Sequence, residues 1–239
     1  MRIATWNING MRARIDYVQH WLRAVDPDVV GCQELKMEDE KSWNGVAVLS
    51  KGDAEVVQRG LPGQESVGAR LLSVKTGGMT FITVYCPNGK TIDHEDFQGK
   101  LAWYDALSDY VEAQHSPDEP LVLTGDFNIV PAPIDSWNEE KLAGNIFHTD
   151  EERQRMARLL DWGFVDAWRE TKPEEPGHSW WDYRAGAFHK RQGLRIDLVL
   201  VTAPLAARVE DVHLERDWRK KVEGLTPSDH APVWVDLAD

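Results

Sequence analysis

One stretch decides how this chain folds: Leu121-Val122-Leu123-Thr124-Gly125-Asp126-Phe127-Asn128. Its apolar run lies between Pro120 and Pro131 and is typical of a buried strand. The two-residue period of a strand predicts that Asp126 and Asn128 lie on one face at its end, at the rim of a hydrophobic sheet. An Asp or Asn at a strand end can equally form a turn with its own backbone, so this stretch alone leaves both interpretations open.

The composition limits the class of protein. The 239 residues suffice for one domain with a large core, and no segment resembles a linker, so 1–239 is predicted to be a single domain. No apolar run of about twenty residues is present, and the chain opens on a strand-like segment, so a cytoplasmic protein without membrane contact is expected. Cys32 and Cys86 lie in apolar strand-like runs and are expected to be reduced and buried.

The charge balance is acidic. The 27 Lys and Arg residues face 40 Asp and Glu residues, which gives a net charge of -13. This charge argues against broad nonspecific binding of polyanions. It does not exclude nucleic acid, because carboxylates gathered around a divalent cation are partly neutralised at that place.

Hydrophobic periodicity predicts many strands and a few long helices, which suggests two packed sheets flanked by helices. The first helix is predicted to bury Ile15, Val18, Trp21, Leu22 and Val25. The predicted helices are 15–24, 97–114 and 150–162, the last capped by Thr149 or Asp150. Besides the opening stretch, the predicted strands are 2–7, 28–34, 45–49, 54–58, 69–74, 80–85, 194–202 and 232–237.

Polar residues recur at the ends of these apolar strands. Each can be explained singly as a turn or cap residue, but together they predict a site, since oxygen ligands without a Cys or His cluster suit a hard cation such as Mg²⁺ or Mn²⁺. The sequence has no Gly-x-Ser-x-Gly turn and no Gly-x-x-x-x-Gly-Lys-Ser/Thr loop. With these two motifs absent, metal-assisted hydrolysis of a phosphate ester is the reaction that the residues favour. The residues are Asn7, Glu34, Tyr85, Asp126, Asn128, Asp197, Asp229 and His230.

Seven blocks of the sequence resemble, in the same order, the signature blocks of the exonuclease III family of apurinic/apyrimidinic endonucleases. They are WNINGMRAR (6–14), QELK (33–36), YCPNG (85–89), GDFNI (125–129), SWWDYR (179–184), GLRID (193–197) and SDHAPV (228–233). The resemblance implies a four-layer α/β/β/α sandwich of two packed mixed sheets flanked by helices, of the DNase I type. It also implies an Mg²⁺-dependent enzyme, with Mn²⁺ as a substitute, that incises duplex DNA 5′ to abasic sites, trims 3′ to 5′ and cleans blocked 3′ ends. A monomer is expected, although the sequence leaves the oligomeric state open.

The resemblance further implies roles for single residues. Glu34 would hold the metal, helped by Asn7 or Asn9 and by Asp229. Asp126 would position or deprotonate the attacking water.

The remaining polar residues would act on the phosphate. Asn128 would be the hydrogen-bonding partner of the water-activating aspartate. His230, oriented by Asp197, would donate to the scissile phosphate oxygen. Tyr85 and Asn88 would meet the phosphate, or Tyr85 the leaving oxygen.

Substrate contacts are implied as well. Trp180, Leu194 and Ile196 match a small apolar pocket for the abasic sugar, which suits a nucleotide that lacks its base and flips out at little cost. The candidate phosphate contacts are Arg12, Arg14, Lys36, Lys90 and Arg184.

The sequence departs from the family between Lys36 and Gly45, where only Met37 to Asn44 stand in place of a longer segment. We therefore predict that one sheet is a strand narrower than usual, that the neighbouring rim lacks some DNA contacts, and that Glu34 has less support.

Two other functions stay open. One is a phosphoesterase of the same fold that acts on inositol phosphates, sphingomyelin or nonspecific DNA; blocks 6–14 and 179–184 favour DNA repair instead. The other is a catalytically weakened, nucleic-acid-binding regulator, against which the full set of acids and His230 speaks.

Overall fold

The computed structural model describes residues 1–36 and 45–239. The strands in this part are Arg2–Asn7 (β1), Val29–Gln33 (β2), Val46–Ser50 (β3), Glu55–Arg59 (β4), Leu71–Thr76 (β5), Met79–Tyr85 (β6), Leu121–Asp126 (β7), Phe164–Asp166 (β8), Asp197–Thr202 (β9), Val209–Leu214 (β10) and Val233–Leu237 (β11). The α-helices are Met11–Val25 (α1), Glu95–Gln114 (α2), Glu139–Leu142 (α3), Asp150–Trp162 (α4), Ala167–Thr171 (α5) and Ala203–Ala206 (α6). Short 3₁₀ helices are Glu65–Val67, Pro133–Asp135, Arg184–Gly186 and Arg216–Arg219.

Two mixed sheets pack face to face. The first has the order β10-β11-β1-β2-β3, with β1 parallel to β2, and the second has the order β4-β5-β6-β7-β9-β8, with β6 parallel to β7. Strand β1 packs against β7 and β9, and β2 packs against β6 and β7. Buried side chains from both sheets, among them Val29, Phe81, Val122 and Val235, fill the layer between them. The hydrophobic effect of this layer fixes the distance between the two sets of strand ends.

Helices cover the outer faces of both sheets. On the first sheet, Tyr17 and Trp21 of α1 pack with Trp6 and Trp234. On the second sheet, α2 and α4 bury an apolar face against β6, β7 and β9. The predicted four-layer α/β/β/α sandwich is therefore confirmed, and Cys32 and Cys86 are free and buried as expected.

The first helix differs from its prediction in where it begins and in one residue of its buried face, while Val18, Trp21 and Val25 are buried as predicted. It begins at Met11, because the backbone N–H groups of Gly10 and Met11 donate to the carbonyls of Glu34 and Leu35 and so fix its first turn. Ile15, predicted to be core, is 40% exposed, and Tyr17 is buried instead. Contacts with the loop after β2 thus fix where the helix begins.

Two strands at the end of the chain also differ. Strand β10 was not predicted, because half of VEDVHL is polar and the residues do not alternate; in the described part of the chain it forms the edge of the first sheet and pairs with β11. Strand β9 begins at Asp197, since Leu194 makes isolated bridges to Ser136 and Trp180 rather than joining the ladder. The Thr149 cap of α4 is confirmed, with a capping box to Glu152.

The shortened segment at 37–44 lies outside the described residues. Within the described part, β3 is the other edge of the first sheet and pairs with β2. That this sheet is a strand narrower than in the family stays a prediction. No helix of residues 1–36 and 45–239 is long and apolar enough to cross a lipid bilayer.

Gly125 lets the site-bearing end of β7 lie against β6. Its φ is +147°, a conformation that side chains with a Cβ rarely adopt, and a Cβ built there would lie 1.9 Å from the carbonyl oxygen of Val84. No flexible side chain can move aside, because the obstructing atom belongs to the backbone.

We expect Gly125→Ala to lower the free energy of unfolding by about 3 kcal/mol or more, because backbone strain and the clash add. Gly99→Ala is the matched control: Gly99 is exposed on α2 with no atom within 4 Å of an added Cβ, so alanine should stabilise by about 0.5–1 kcal/mol. Urea unfolding measures both, and equal effects would contradict the argument.

Candidate active site

The ends of three strands meet at one edge of the sandwich. Asn7 ends β1, Glu34 follows β2 and Asp126 ends β7. Asn7 Nδ2 donates to Glu34 Oε1 at 3.0 Å and to Asp126 Oδ2 at 2.9 Å. Because carboxylates only accept, the amide nitrogen must face them, and Asn7 Oδ1 accepts the backbone N–H of Asn9 at 3.0 Å. One amide thus ties together a carboxylate from each sheet.

The backbone around Glu34 is held from two directions. Glu34 has a φ of +53°, in the left-handed region, and its carbonyl accepts the N–H of Gly10 at 2.7 Å. The preceding Gln33 is buried between the sheets, where its Nε2 donates to Thr5 Oγ1 and Thr83 Oγ1, each at 2.9 Å. These bonds turn the chain so that the Glu34 side chain points into the site.

Glu34 has two further donors. Tyr85 OH donates to Oε1 and Lys36 Nζ contacts Oε2, both at 2.8 Å. Burial opposes the charge of Glu34, but the hydrogen bonds from Lys36 and Asn7 outweigh it and lower the pKa of Glu34. Burial, with the charges of Glu34 and Asp126, raises the pKa of Tyr85 far above its usual range. The site therefore holds an ionised carboxylate beside a neutral phenol.

His230 is buried between two aspartates. Its Nδ1 lies 2.8 Å from Asp197 Oδ2 and its Nε2 lies 3.8 Å from Asp126 Oδ2. Burial opposes protonation, but the charges of Asp197 and Asp126 outweigh it and raise the pKa of His230. Ser179 Oγ accepts the backbone N–H groups of Ile196 and Asp197 at 3.1 and 3.0 Å. The imidazole is thus charged and held with Nε2 toward the carboxylates.

Two of these side chains could hold a metal ion. One polar atom each from Glu34, Asp126 and His230 lie within 4.8 Å of one another, and the two carboxylates are the available ligands because both nitrogens of a charged imidazole are donors. Burial raises the pKa of Asp126 although the charge of His230 opposes this shift, so its negative charge is poorly compensated. Carboxylate oxygens are the donors that hard divalent cations prefer, and such a cation would supply the missing charge. The residues present therefore fit a divalent metal.

Asn9 and Asp229, predicted to help bind the metal, lie beside this cluster. Asn9 Nδ2 donates to Asp229 Oδ1 at 2.7 Å, and Trp180 Nε1 donates to Asp229 Oδ2 at 3.1 Å. Lys36 Nζ donates to Asn9 Oδ1 at 2.6 Å. That Asn7, Asn9 and Asp229 bind the metal stays a prediction; here each already has protein partners.

Both interpretations of the opening stretch apply to Asp126. Its Oδ1 accepts the backbone N–H of Asn128 at 2.9 Å, which is the turn, while its Oδ2 faces Asn7 and His230. The Asn128 side chain is directed elsewhere: Nδ2 donates to the carbonyl of Cys86 at 2.9 Å. The predicted partnership of Asp126 and Asn128 thus runs through the backbone of Asn128.

An apolar cavity of about 320 Å³ opens next to this cluster. Trp180, Leu194, Phe147 and Trp137 are among the residues that line it. The Trp180 ring centre lies 6.4 Å from the ring centres of both Phe147 and His230, so one indole separates the cavity from the imidazole. Ile196, predicted to line this pocket, is instead buried in the apolar cluster beneath it.

The basic residues predicted to contact phosphate differ in their surroundings. Arg12 is exposed in the first turn of α1. Arg184 borders the cavity and forms an exposed ion pair of 2.8 Å with Asp182. Such a pair contributes little to stability, so the guanidinium is available to another anion.

Sequence reasoning missed several residues that shape the site. Arg70 NH1 donates to the carbonyl of Tyr85 at 3.0 Å, and its guanidinium lies 4.7 Å from the Tyr85 ring centre. Ser179 belongs to the quoted block 179–184 but was given no role, and Phe147 was missed because it lies in a loop without periodicity. Glu152 could have been found from the sequence, because Thr149-x-x-Glu152 is a capping-box pattern. That pattern indicates only where a helix begins.

Two carboxylates and an aspartate-oriented imidazole at the edge of a two-sheet sandwich define a metal-assisted phosphoester hydrolase. Comparison with known proteins agrees: the model of the endonuclease/exonuclease/phosphatase family matches residues 4–230. The chain belongs to this family.

Individual relatives narrow the similarity. The chain is 34% identical to the exodeoxyribonuclease III of Haemophilus influenzae, covering 99% of this chain and all of the relative. Among solved structures it is similar to the 3′ phosphatase NExo from Neisseria bound to a product DNA hairpin, with 35% identity and a TM-score of 0.92 over 99% of both chains. An AP endonuclease from Archaeoglobus fulgidus gives 32% identity and the same TM-score of 0.92, also over 99% of both. The resemblance to exonuclease III and AP endonucleases is thus confirmed.

We expect Asp197→Asn to lower the pKa of His230, since it removes the charge nearest Nδ1. In the metal-free wild type the imidazole should still be protonated at about pH 7.5, because its pKa is raised above the ordinary range, whereas in the variant it should be largely neutral there. Carbon–proton correlation spectra of the imidazole measure this. A wild-type His230 that titrates near its ordinary pKa would contradict the electrostatic argument.

Proposed function

We propose that this chain is a DNA-repair nuclease that uses Mg²⁺, or Mn²⁺ in its place, to cut duplex DNA 5′ to abasic sites. The observation that carries this proposal is the apolar cavity that only the Trp180 indole separates from His230 of the Glu34, Asp126 and His230 cluster. The named activities of its relatives support it, since these are exodeoxyribonuclease III and AP endonuclease. Residues 1–239 would act as one domain, as a cytoplasmic monomer.

The reaction needs a nucleophile, a positioned phosphate and charge compensation. Asp126 Oδ2 would orient the attacking water and accept its proton. His230 would donate from Nε2 to a phosphate oxygen, while Asp197 keeps the proton on Nδ1. Glu34 would hold the metal ion, which, when bound, supplies Lewis-acid stabilisation of the charge on the phosphate.

Other residues would position the substrate. Tyr85 OH, a neutral donor beside Glu34, would face the leaving oxygen. The side-chain amide of Asn88 lies 3.4 Å from Asn128 Oδ1, and its exposed face would meet the phosphate. Arg12 and Arg184 would bind phosphates farther along the backbone, where they add affinity without sequence specificity.

The cavity gives a physical basis for abasic specificity. A nucleotide without a base loses little stacking when it flips out of the duplex. Trp180 and Phe147 would offer it apolar walls, and these aromatic rings would limit the size of the nucleotide that enters. Selection of abasic over intact nucleotides would therefore depend on the size of the cavity. Leu194 lines this cavity, so a smaller side chain there tests the role of size.

A second candidate function is removal of 3′ phosphates and nucleotides. The observation in its favour is that the Neisseria 3′ phosphatase and the Archaeoglobus AP endonuclease have the same TM-score of 0.92 to this chain. Similarity of fold therefore does not rank the two activities. Both would use the same phosphate chemistry, and only abasic incision would need the cavity.

Cleavage of a labelled duplex with one tetrahydrofuran abasic analogue tests the proposal. We expect incision 5′ to the analogue with Mg²⁺ and none with EDTA. Glu34→Ala and Asp126→Asn should each lower kcat by about 10³-fold, because they remove metal binding and water activation. Glu55→Ala, which removes an exposed acid of β4, is the control and should be fully active. Folded wild-type protein that binds DNA without Mg²⁺-dependent cleavage would favour the regulator instead.

Leu194→Ala tests the cavity. The larger cavity should admit intact nucleotides, so the preference for abasic over intact duplex should fall by about 10-fold, the effect expected for a few methylene groups in an apolar pocket. Release of phosphate from a 3′-phosphorylated end should be unchanged and serves as the internal control. An unaltered preference would show that this cavity does not select the substrate.

A further inference from the structure

Lys100 and Glu152 form an ion pair in which both side chains are fully buried, each 0% exposed. The three N–H donors of the ammonium group match three acceptors. One is Glu152 Oε1. The others are the carbonyl of Asn128 at 2.6 Å and the carbonyl of Asn88 at 3.3 Å. The ammonium group thus joins the loop after β6 to the loop after β7.

The loop after β6 rests directly on the Lys100 side chain. Gly89 follows Asn88 with a φ of +86°, and a Cβ built on it would lie 3.0 Å from Lys100 Cδ and 3.1 Å from Ile146 Cδ1. A shift of Lys100 would therefore move the backbone that carries the Asn88 side chain.

Glu152 makes the corresponding contacts on the side of the cavity. Its Oε1 accepts the backbone N–H of Phe147 at 3.1 Å, and its Oε2 accepts the N–H and the hydroxyl of Thr149 at 3.1 and 2.9 Å. The Phe147 ring lies 4.8 Å from Lys100 Nζ and packs edge-on against Trp180. The carboxylate thus fixes the aromatic wall of the cavity.

An ion pair this deeply buried is weak evidence for stability, because desolvation of both charges offsets their attraction and apolar replacements are often neutral. The capping box of α4 accounts for the bonds from Thr149. It does not account for an ammonium group on the carbonyls of Asn88 and Asn128. The bonds from Lys100 to these two carbonyls hold the two loops in a fixed position relative to each other.

We propose that the Lys100–Glu152 pair is a positioning device that couples the Phe147 wall of the cavity to the Asn88 and Asn128 loops at the phosphate. The pair would thereby fix the position of a nucleotide bound in the cavity relative to the phosphate that is cut. The inference rests on the proposed function, since it assigns what aligns the substrate at that site.

The test replaces both charges at once with Lys100→Met/Glu152→Leu, which leaves no unpaired buried charge and should fold. We expect kcat for incision at the tetrahydrofuran analogue to fall by about 10²-fold, the effect of a misplacement of about 1 Å, while KM changes by less than about 3-fold. Amide hydrogen exchange should rise in 86–90 and 143–149, because both loops lose their hydrogen-bonding partners. The fall in kcat at nearly constant KM is the effect that simple core filling would not produce.

A control separates alignment from stability. Arg2→Met/Asp236→Leu replaces an ion pair of 2.6 Å at the opposite end of β1 and leaves the contacts of Lys100 and Glu152 untouched. It should leave kcat and KM as in the wild type. If the double variant does not fold, Glu152→Gln keeps the side-chain shape and should still lower kcat at least about 10-fold.

Each outcome decides the matter. A folded Lys100→Met/Glu152→Leu variant with wild-type kcat and exchange would overturn the inference and leave the pair as core. A wild-type protein that releases 3′ phosphate but does not incise abasic DNA would refute the proposed specificity instead. In that case the same variant should still lose phosphate release, because the Asn88 and Asn128 loops serve both reactions.

Discussion

The packing of β1 against β7 is the constraint on which the site depends. Their apolar faces bring the ends of two different sheets within hydrogen-bonding distance, so that Asn7 donates both to Glu34 and to Asp126. A buried carboxylate needs donors or positive charge around it. Asp126 receives two hydrogen bonds, from Asn7 and from the backbone of Asn128, and has His230 nearby. These partners leave it poorly neutralised, which is the condition that favours a bound cation.

The electrostatics of the site are nearly independent of the net charge of the chain. Glu34, Asp126 and Asp197 bring three carboxylates together, and His230 and Lys36 supply two cationic groups. Because the groups are buried, screening by salt is weak and these local charges dominate. An overall charge of -13 is therefore compatible with a site that binds a cation and, through it, a phosphate.

In the function proposed here, chemistry and selectivity belong to different parts of the fold. The reactive groups sit on strand ends, where ladders and tight loops hold the backbone, whereas the cavity is walled by Phe147, Trp180 and Leu194 from loops. Loops are less rigid than strands unless they are fastened. The buried contacts of Lys100 and Glu152 provide such a fastening, and they do so next to the reactive groups.

The sequence by itself predicted two packed sheets flanked by helices, most strand positions and the polar residues at the strand ends, because hydrophobic period and turn residues are local signals; the four-layer arrangement was implied by the resemblance to the family. It also indicated the metal-assisted chemistry, since a run of strand-end acids and amides without a Cys cluster favours a hard cation. Only the tertiary structure decided where α1 begins, that β10 joins the sheet, that Ile196 lies below the cavity, and that Lys100 reaches two loops. Each depends on contacts between residues far apart in the chain. Such contacts produce no periodic pattern of hydrophobic residues that could be recognised in the sequence.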